Sequence, residues 1–279
     1  MNYIDLFEQI KLKRSFLCVG LDSDFDLIPD HLKDSDEPQF QFNKSIIDAT
    51  CEYAVAYKPN LAFYEARGAQ GWIELEKSVR YIKEKDPSIF IIADAKRGDI
   101  GNTAKLYAKA FFESSLFDAV TLSPYMGRDS VDPFLSYEGK WAVILALTSN
   151  DSATDFETLK LDAANGGKEL YREVIERSAK WGSIDNTMYV VGATRPEKLA
   201  EIRAYSPDHF YLVPGVGAQG GSIEDVSKYG LNQKCGLLVN ISRSIIFADR
   251  TERFAESAHI KAKEAAGQMS AILSANRLL

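Results

Sequence analysis

Cysteine is scarce. The three in 279 residues, Cys18, Cys51 and Cys235, stand far apart and form no C-x-x-C pair. Their number is odd and two lie within apolar runs, so they read as small buried hydrophobes of a reducing compartment, not as a disulfide framework. Histidine is equally rare. His31, His209 and His259 fall at no ligand spacing, which argues against a His/Cys zinc site. No run approaches the ~18 apolar residues of a membrane span. The N-terminal stretch 1–16 is amphipathic and has no signal-peptide core. Positive charge is in deficit: Lys+Arg 33 against Asp+Glu 40 give a formal net charge of −7. A chain of that sign lacks the basic footprint of a general nucleic-acid binder, although local basic pockets stay open. No Pro/Gly/Ser-rich linker or low-complexity stretch divides the chain. The expectation is a soluble cytoplasmic globular protein with no nucleic-acid and no membrane partner.

What is present is a repeating unit. Eight short apolar runs recur at residues 16–22, 54–58, 89–94, 119–123, 141–148, 188–192, 210–214 and 236–240. They are apolar nearly throughout, as strands buried on both faces should be. Between them lie patterns of helical period, at 42–53, 72–85, 103–115, 167–181 and 196–205. A short helix over 3–13 precedes the first strand and a long one over 252–274 follows the last. Strand–helix alternation implies parallel strands joined by right-handed crossovers, and eight units fit a closed barrel better than an open sheet. The predicted fold is α/β, a (β/α)8 TIM barrel occupying 1–279 as a single domain, with an extra helix at each end. The widest irregular stretches, 22–39 and 149–165, both follow strands and should lie on the C-terminal barrel face, where active-site loops belong.

Ionisable residues close the first three strands: Asp22, Lys58 and Asp94, the last followed by Lys96 and Asp99. A charge at the end of a buried strand is costly unless paired. Asp94 and Lys96, two apart in an extended segment, should point the same way. A salt-bridge cluster holding the barrel end together would explain any one of these residues. The whole constellation in one mouth reads better as a fixed electrostatic field with a proton donor. Gly215-Val-Gly217-Ala-Gln-Gly220 matches G-x-G-x-x-G, but the next strand ends in Asn240, not an acid that would hold a ribose, and too little chain follows for a dinucleotide fold. In a barrel the loops after strands seven and eight hold a phosphate group, and Arg243 supplies a bidentate cation there.

The run Asp94–Thr103 resembles the D-x-K-x-x-D signature of the orotidine 5′-phosphate decarboxylase family. The segments 42–50, 57–65, 213–221 and 239–244 resemble its bacterial type 2 branch. The likeness extends from Asp22 to Arg243. It implies decarboxylation of orotidine 5′-monophosphate to UMP and CO2, the last step of de novo UMP synthesis, with no metal and no organic cofactor. Lys96 would face the charge developing at C6 and then protonate it. Asp94 would hold Lys96 beside the substrate carboxylate. Lys58 would neutralise Asp94 and, with Asp22, contact the ribose hydroxyls. The resemblance gives Gln219, Gly220 and Arg243 the phosphate, and Ser149 the pyrimidine, with Thr148 adjacent as the other choice. This chain reads Asn150-Asp151 where the family has Asn-Pro-Gly. Asp99, Ile100 and Thr103 would complete the site of a neighbouring subunit in a homodimer.

Other residues carry blander expectations. Trp72, Trp141 and Trp181 read as core packing. The basic clusters 11–14 and 83–85 read as helix-dipole and solubility features, and Asp48 and Glu65 as structural hydrogen-bonding groups. Ser123–Gly127 reads either as a wall of the site or as a plain turn. Two competing functions stay open. One is a metal-dependent sugar-phosphate decarboxylase or aldolase of the same suprafamily. The other is a non-catalytic phosphate-binding barrel.

Overall fold

Strands that are apolar along their whole length need cover on both faces, and here the sheet closes on itself to provide it. A computed structural model of the chain describes residues 1–217 and 220–279. Its strands are β1 Leu17–Leu21, β2 Ala54–Pro59, β3 Phe90–Arg97, β4 Ala119–Leu122, β5 Trp141–Leu147, β6 Thr187–Val191, β7 Phe210–Val213 and β8 Leu237–Ile241. All pair in parallel with their sequence neighbours, and β1 closes the barrel against β8 through Leu17↔Val239 and Cys18↔Asn240. Every residue of β1, β2, β4, β6, β7 and β8 is buried. The (β/α)8 expectation therefore holds.

The helices cover the outside by their apolar stripes. Helix Gly68–Lys85 buries Leu75, Val79 and Ile82, spaced on one face, each burial stabilising by roughly 1.5–3 kcal/mol. Helix Tyr3–Lys13 begins with a capping box between Asn2 and Asp5 and buries Tyr3, Leu6 and Ile10. It seals the N-terminal barrel end. There Tyr3 packs on Phe210 with ring centroids 4.8 Å apart, and the Trp141 indole donates to the Met1 carbonyl at 2.9 Å. The long last helix, Phe254–Ala275, buries Ala258, Ala262 and Met269. Phe42 of helix Pro38–Thr50 stacks between Phe247 and Phe254.

Three sequence expectations shift. The helix expected over 167–181 is Leu170–Ser178, because the preceding residues pair with the loop instead: the Leu161 N–H donates to the Lys168 carbonyl at 2.8 Å and Lys160 bridges Glu169. The helix expected over 103–115 runs as Gly101–Lys109 and then widens into a π-helical turn, Ala110–Ser114. The basic clusters are more than solubility features. Lys13 pairs with Asp86 at 2.8 Å. Lys83 pairs with Asp118 at 2.6 Å and donates to the Ile89 carbonyl. Both are partly buried rivets between helices and strand starts at the barrel floor.

Candidate active site

The carboxyl ends of the strands converge on a cavity of about 330 Å3, to which each of the eight brings at least one residue: Asp22 just past β1, Lys58, Asp94, Thr121, Leu145, Val190, Leu212 and Asn240. At its floor, the Asp94 carboxylate lies between two ammonium groups. Lys58 Nζ donates to Oδ2 at 2.7 Å and Lys96 Nζ to Oδ1 at 2.6 Å. The two lysines differ in surroundings. The Lys58 side chain is 5% exposed and the Lys96 side chain 51% exposed, so Lys58 is a fixed internal charge and Lys96 presents its ammonium to the cavity. Burial alone would depress the Lys58 pKa, but Asp94 and Asp22 overcome it and hold the group above the ordinary lysine value. Burial would likewise raise the Asp94 pKa. Lys58 and Lys96 override it and keep the carboxyl well below the usual range. The site is thus preset as carboxylate and ammonium.

Asp22 stands across Lys58, with Oδ1 3.8 Å from Nζ. That oxygen is buried and accepts no hydrogen bond among the described residues. A buried carboxylate oxygen without a hydrogen bond costs stability, so it is an acceptor ready for a ligand donor.

Asp94 and Lys96 meet, but not through the simple extended alternation expected of them. β3 slips register against β4 between Ala93 and Arg97, and Lys96 adopts φ 47°, the left-handed region that costs a non-glycine residue roughly 1–3 kcal/mol. The Thr121 hydroxyl bridges this irregularity, accepting from the Lys96 N–H at 2.9 Å and donating to Asp94 Oδ1 at 3.0 Å.

At the end of β5, Thr148, Ser149 and Asn150 line the cavity. Glu157 holds Thr148 with both oxygens: Oε2 accepts from the Thr148 N–H at 2.7 Å, and Oε1 lies 2.8 Å from the hydroxyl, whose one proton it shares with Asn150 Oδ1 at 2.6 Å. Ser149 packs against Gly192, where a Cβ would lie 2.8 Å from Ser149 Cβ, so only glycine leaves room for this loop. The segment Ser123–Gly127 does not line the cavity. It is a plain turn closed by the Gly127 N–H on the Pro124 carbonyl, and it leaves Tyr125 88% exposed.

At the opposite wall stand Gly215, Val216, Ser242 and Arg243, the last opening the short helix Arg243–Ile246. Gly215, Gly217 and Gly220 have φ of 95°, 81° and 89°, which a side chain would resist. Gly220 is exposed on the far arm of this loop. Gln219 lies outside the described residues.

Asp99, Ile100 and Thr103 are not part of this cavity. Asp99 caps its own turn through the Ile100 N–H at 2.7 Å, and Ile100 and Thr103 are exposed at the start of helix Gly101–Lys109. Exposed apolar side chains continue along the same helix: Leu106 at 58% and Tyr107 at 36%.

Sequence reasoning missed four polar residues around the site: Asn60, Thr121, Glu157 and Asn240 in its proper role. Thr121 interrupts an apolar strand and could have been noticed. Glu157 sits in an irregular loop, and nothing local marks it. Cys18, whose thiol donates to Asn240 Oδ1 at 3.6 Å, is pushed up to about 12 by burial and offers no nucleophile. Among the described residues no group of three or more His, Cys, Asp or Glu is placed to hold a metal ion, and no helix is long and apolar enough to cross a membrane.

Comparison with known proteins gives the family. The family model described as orotidine 5′-phosphate decarboxylase / HUMPS matches residues 15–258. An orotidine 5′-phosphate decarboxylase of Bacteroides fragilis is 58% identical over 275 residues, covering 99% of each chain. One of Porphyromonas gingivalis is 56% identical over 279 residues, covering 100% of both. Among solved structures, OMP decarboxylase of Leishmania donovani superposes with TM-score 0.81 at 36% identity, covering 98% of this chain and 99% of that one. UMP synthase of the same organism gives TM-score 0.83 at 38% identity and 98% coverage of this chain, which spans only 56% of that longer protein. The chain belongs to the orotidine 5′-phosphate decarboxylase / HUMPS family.

Proposed function

We propose that the protein, acting as one catalytic domain in the cytoplasm, decarboxylates orotidine 5′-monophosphate to UMP and CO2 without a metal or organic cofactor. The observation that carries this is the Asp94 carboxylate held between buried Lys58 and cavity-facing Lys96. The C6–carboxylate bond breaks with its electron pair staying on C6. The Lys96 ammonium stabilises that charge and delivers a proton to C6, and the neutral amine regains a proton from solvent. Asp94 orients Lys96 and lies close to the departing carboxylate. Asp22 and Lys58 hold the ribose hydroxyls, using the Asp22 oxygen that accepts no hydrogen bond among the described residues. Arg243, with Gln219 and Gly220, binds the phosphate. Ser149 reads the pyrimidine, since the Thr148 N–H is engaged by Glu157 and the Thr148 hydroxyl by Glu157 and Asn150.

Asp99, Ile100 and Thr103 act in the site of a second subunit. Their place outside their own cavity, on the helix that also exposes Leu106 and Tyr107, supports a homodimer with composite sites. A sugar-phosphate chemistry that holds a divalent metal on these carboxylates fits less well, because the Lys58 ammonium already stands between Asp22 and Asp94.

The test is loss of the orotate absorbance when purified protein meets orotidine 5′-monophosphate, with and without EDTA. Turnover should be indifferent to EDTA and abolished in Lys96→Ala. Binding of UMP without turnover by the native protein would overturn the reading in favour of a nucleotide sensor. Mixing inactive Asp99→Ala and Lys96→Ala subunits should restore one site per heterodimer, and no recovery would refute the composite site.

A further inference from the structure

We infer that Thr121 is the positioning residue of the lysine–aspartate array: its hydroxyl locks the backbone of Lys96 to the carboxylate that holds the same lysine's ammonium. The inference rests on the decarboxylase reading and deepens it.

The place of Thr121 in the sheet is unusual. Ala93 of β3 pairs with Val120 and Arg97 pairs with Leu122, so Thr121 alone faces the three residues Asp94, Ala95 and Lys96. An ordinary ladder would give the Lys96 N–H a carbonyl on β4. Here it receives the Thr121 hydroxyl oxygen at 2.9 Å. The same oxygen lies 3.0 Å from Asp94 Oδ1, and Thr121 is 1% exposed, so water is not a competing partner.

The chemistry of the three groups leaves one arrangement. A peptide N–H can only donate and a carboxylate can only accept, while a hydroxyl has one proton and two lone pairs. The hydroxyl therefore accepts from Lys96 and donates to Asp94. Asp94 Oδ1 in turn accepts from Lys96 Nζ at 2.6 Å. The result is a closed ring from the Lys96 N–H through Thr121 and Asp94 back to the Lys96 ammonium. It fixes both ends of a long flexible side chain whose backbone is in the left-handed region, φ 47°. Threonine suits the role because its branch at Cβ restricts χ1 on a strand. Valine has the same shape and provides neither bond. Serine provides both.

The function of the ring is to set the direction of the ammonium before substrate arrives. A misplacement of about 1 Å at a reacting centre can cost about a hundredfold in rate. Substrate affinity comes from phosphate and ribose contacts elsewhere in the cavity, so it should not depend on this hydroxyl.

The experiment compares native protein, Thr121→Val, Thr121→Ser and Lys96→Ala for kcat and KM with orotidine 5′-monophosphate, and for UMP affinity by calorimetry. Thr121→Val should lower kcat by about a hundredfold with KM and UMP affinity within about threefold of native. Thr121→Ser should restore kcat to within about threefold of native. If Thr121→Val does not fold, Thr121→Ala removes the same hydroxyl without placing a methyl against the carboxylate, and the same outcome is expected. A hydroxyl-free variant with native kcat overturns the inference. So does one whose UMP affinity falls as far as its kcat, since the hydroxyl would then support the fold of the site and not the lysine's aim. Failure of the decarboxylase reading is visible separately: native protein would not consume the substrate, or Lys96→Ala would retain turnover.

Discussion

Asp94→Asn is the substitution whose consequence follows most directly from the structure. The side chain keeps its volume and loses its charge. Asp94 is the counter-ion of Lys58 at 2.7 Å, and the other carboxylate paired with that ammonium among the described residues, Asp22, is 3.8 Å away. The Lys58 side chain is 5% exposed, so water cannot replace the lost partner. Removing one member of a buried ion pair leaves an uncompensated charge and typically costs 3–5 kcal/mol. Asp22 offsets part of this, and about 3 kcal/mol is expected. For a chain of this size that is a fall of roughly 6–12 °C in Tm. The pH dependence carries a sign. In the native protein the depressed Asp94 pKa contributes stability that is present above the unfolded value near 4 and is lost as pH falls through the folded one. The raised Lys58 pKa contributes stability that is complete below about 10.4 and is lost as pH rises through the folded value. The difference between native and variant should thus be widest from about pH 5 to 10 and narrow on both sides. Thermal unfolding at equal protein concentration across this range tests it. A variant as stable as native at pH 7, or a gap that does not change with pH, would refute the account of a buried charge held by Asp94.

Three further outcomes are expected. Arg243→Ala, and native protein given a substrate without phosphate, should both lose kcat/KM by at least about a hundredfold, because on the proposed reading binding energy from the remote phosphate is used at the reacting centre; unchanged steady-state kinetics would remove Arg243 from the proposed site. Glu157→Leu releases the Thr148 N–H, leaves its hydroxyl to Asn150 alone, and should raise KM for orotidine 5′-monophosphate about tenfold, at about 1.4 kcal/mol per decade, with Glu157→Gln intermediate; initial-rate measurements decide this. His209 is buried with neither ring nitrogen hydrogen-bonded among the described residues, and burial and then Arg203 lower its pKa to about 4. Folding keeps it neutral, so stability should fall as pH drops from 6.5 towards 4, by about 3 kcal/mol in all. His209→Leu should flatten that part of a urea-denaturation profile.

Local pattern was enough for much of this protein. Runs such as 54–58 and 188–192, apolar on both faces, can be satisfied only inside a covered parallel sheet, and eight of them alternating with helical stripes leave little beyond a closed barrel. The strand-end charges Asp22, Lys58 and Asp94, with Lys96 and Arg243, were legible as candidates for one cavity, because strand order in a barrel brings every carboxyl end to one mouth. Tertiary structure decided what depends on groups far apart in sequence. Lys58 and Lys96 become different kinds of lysine, one an internal charge and one a cavity group, through burial that no local pattern encodes. Asp94 and Lys96 meet through a register slip that Thr121, on the next strand, fills. Glu157 reaches back from an irregular loop to hold Thr148. The scarcity of cysteine and histidine excluded whole classes of chemistry at the outset. What replaced them, an aspartate between two lysines, depends on three-dimensional proximity, because the energy of a charge is set by its distance to other charges and to water.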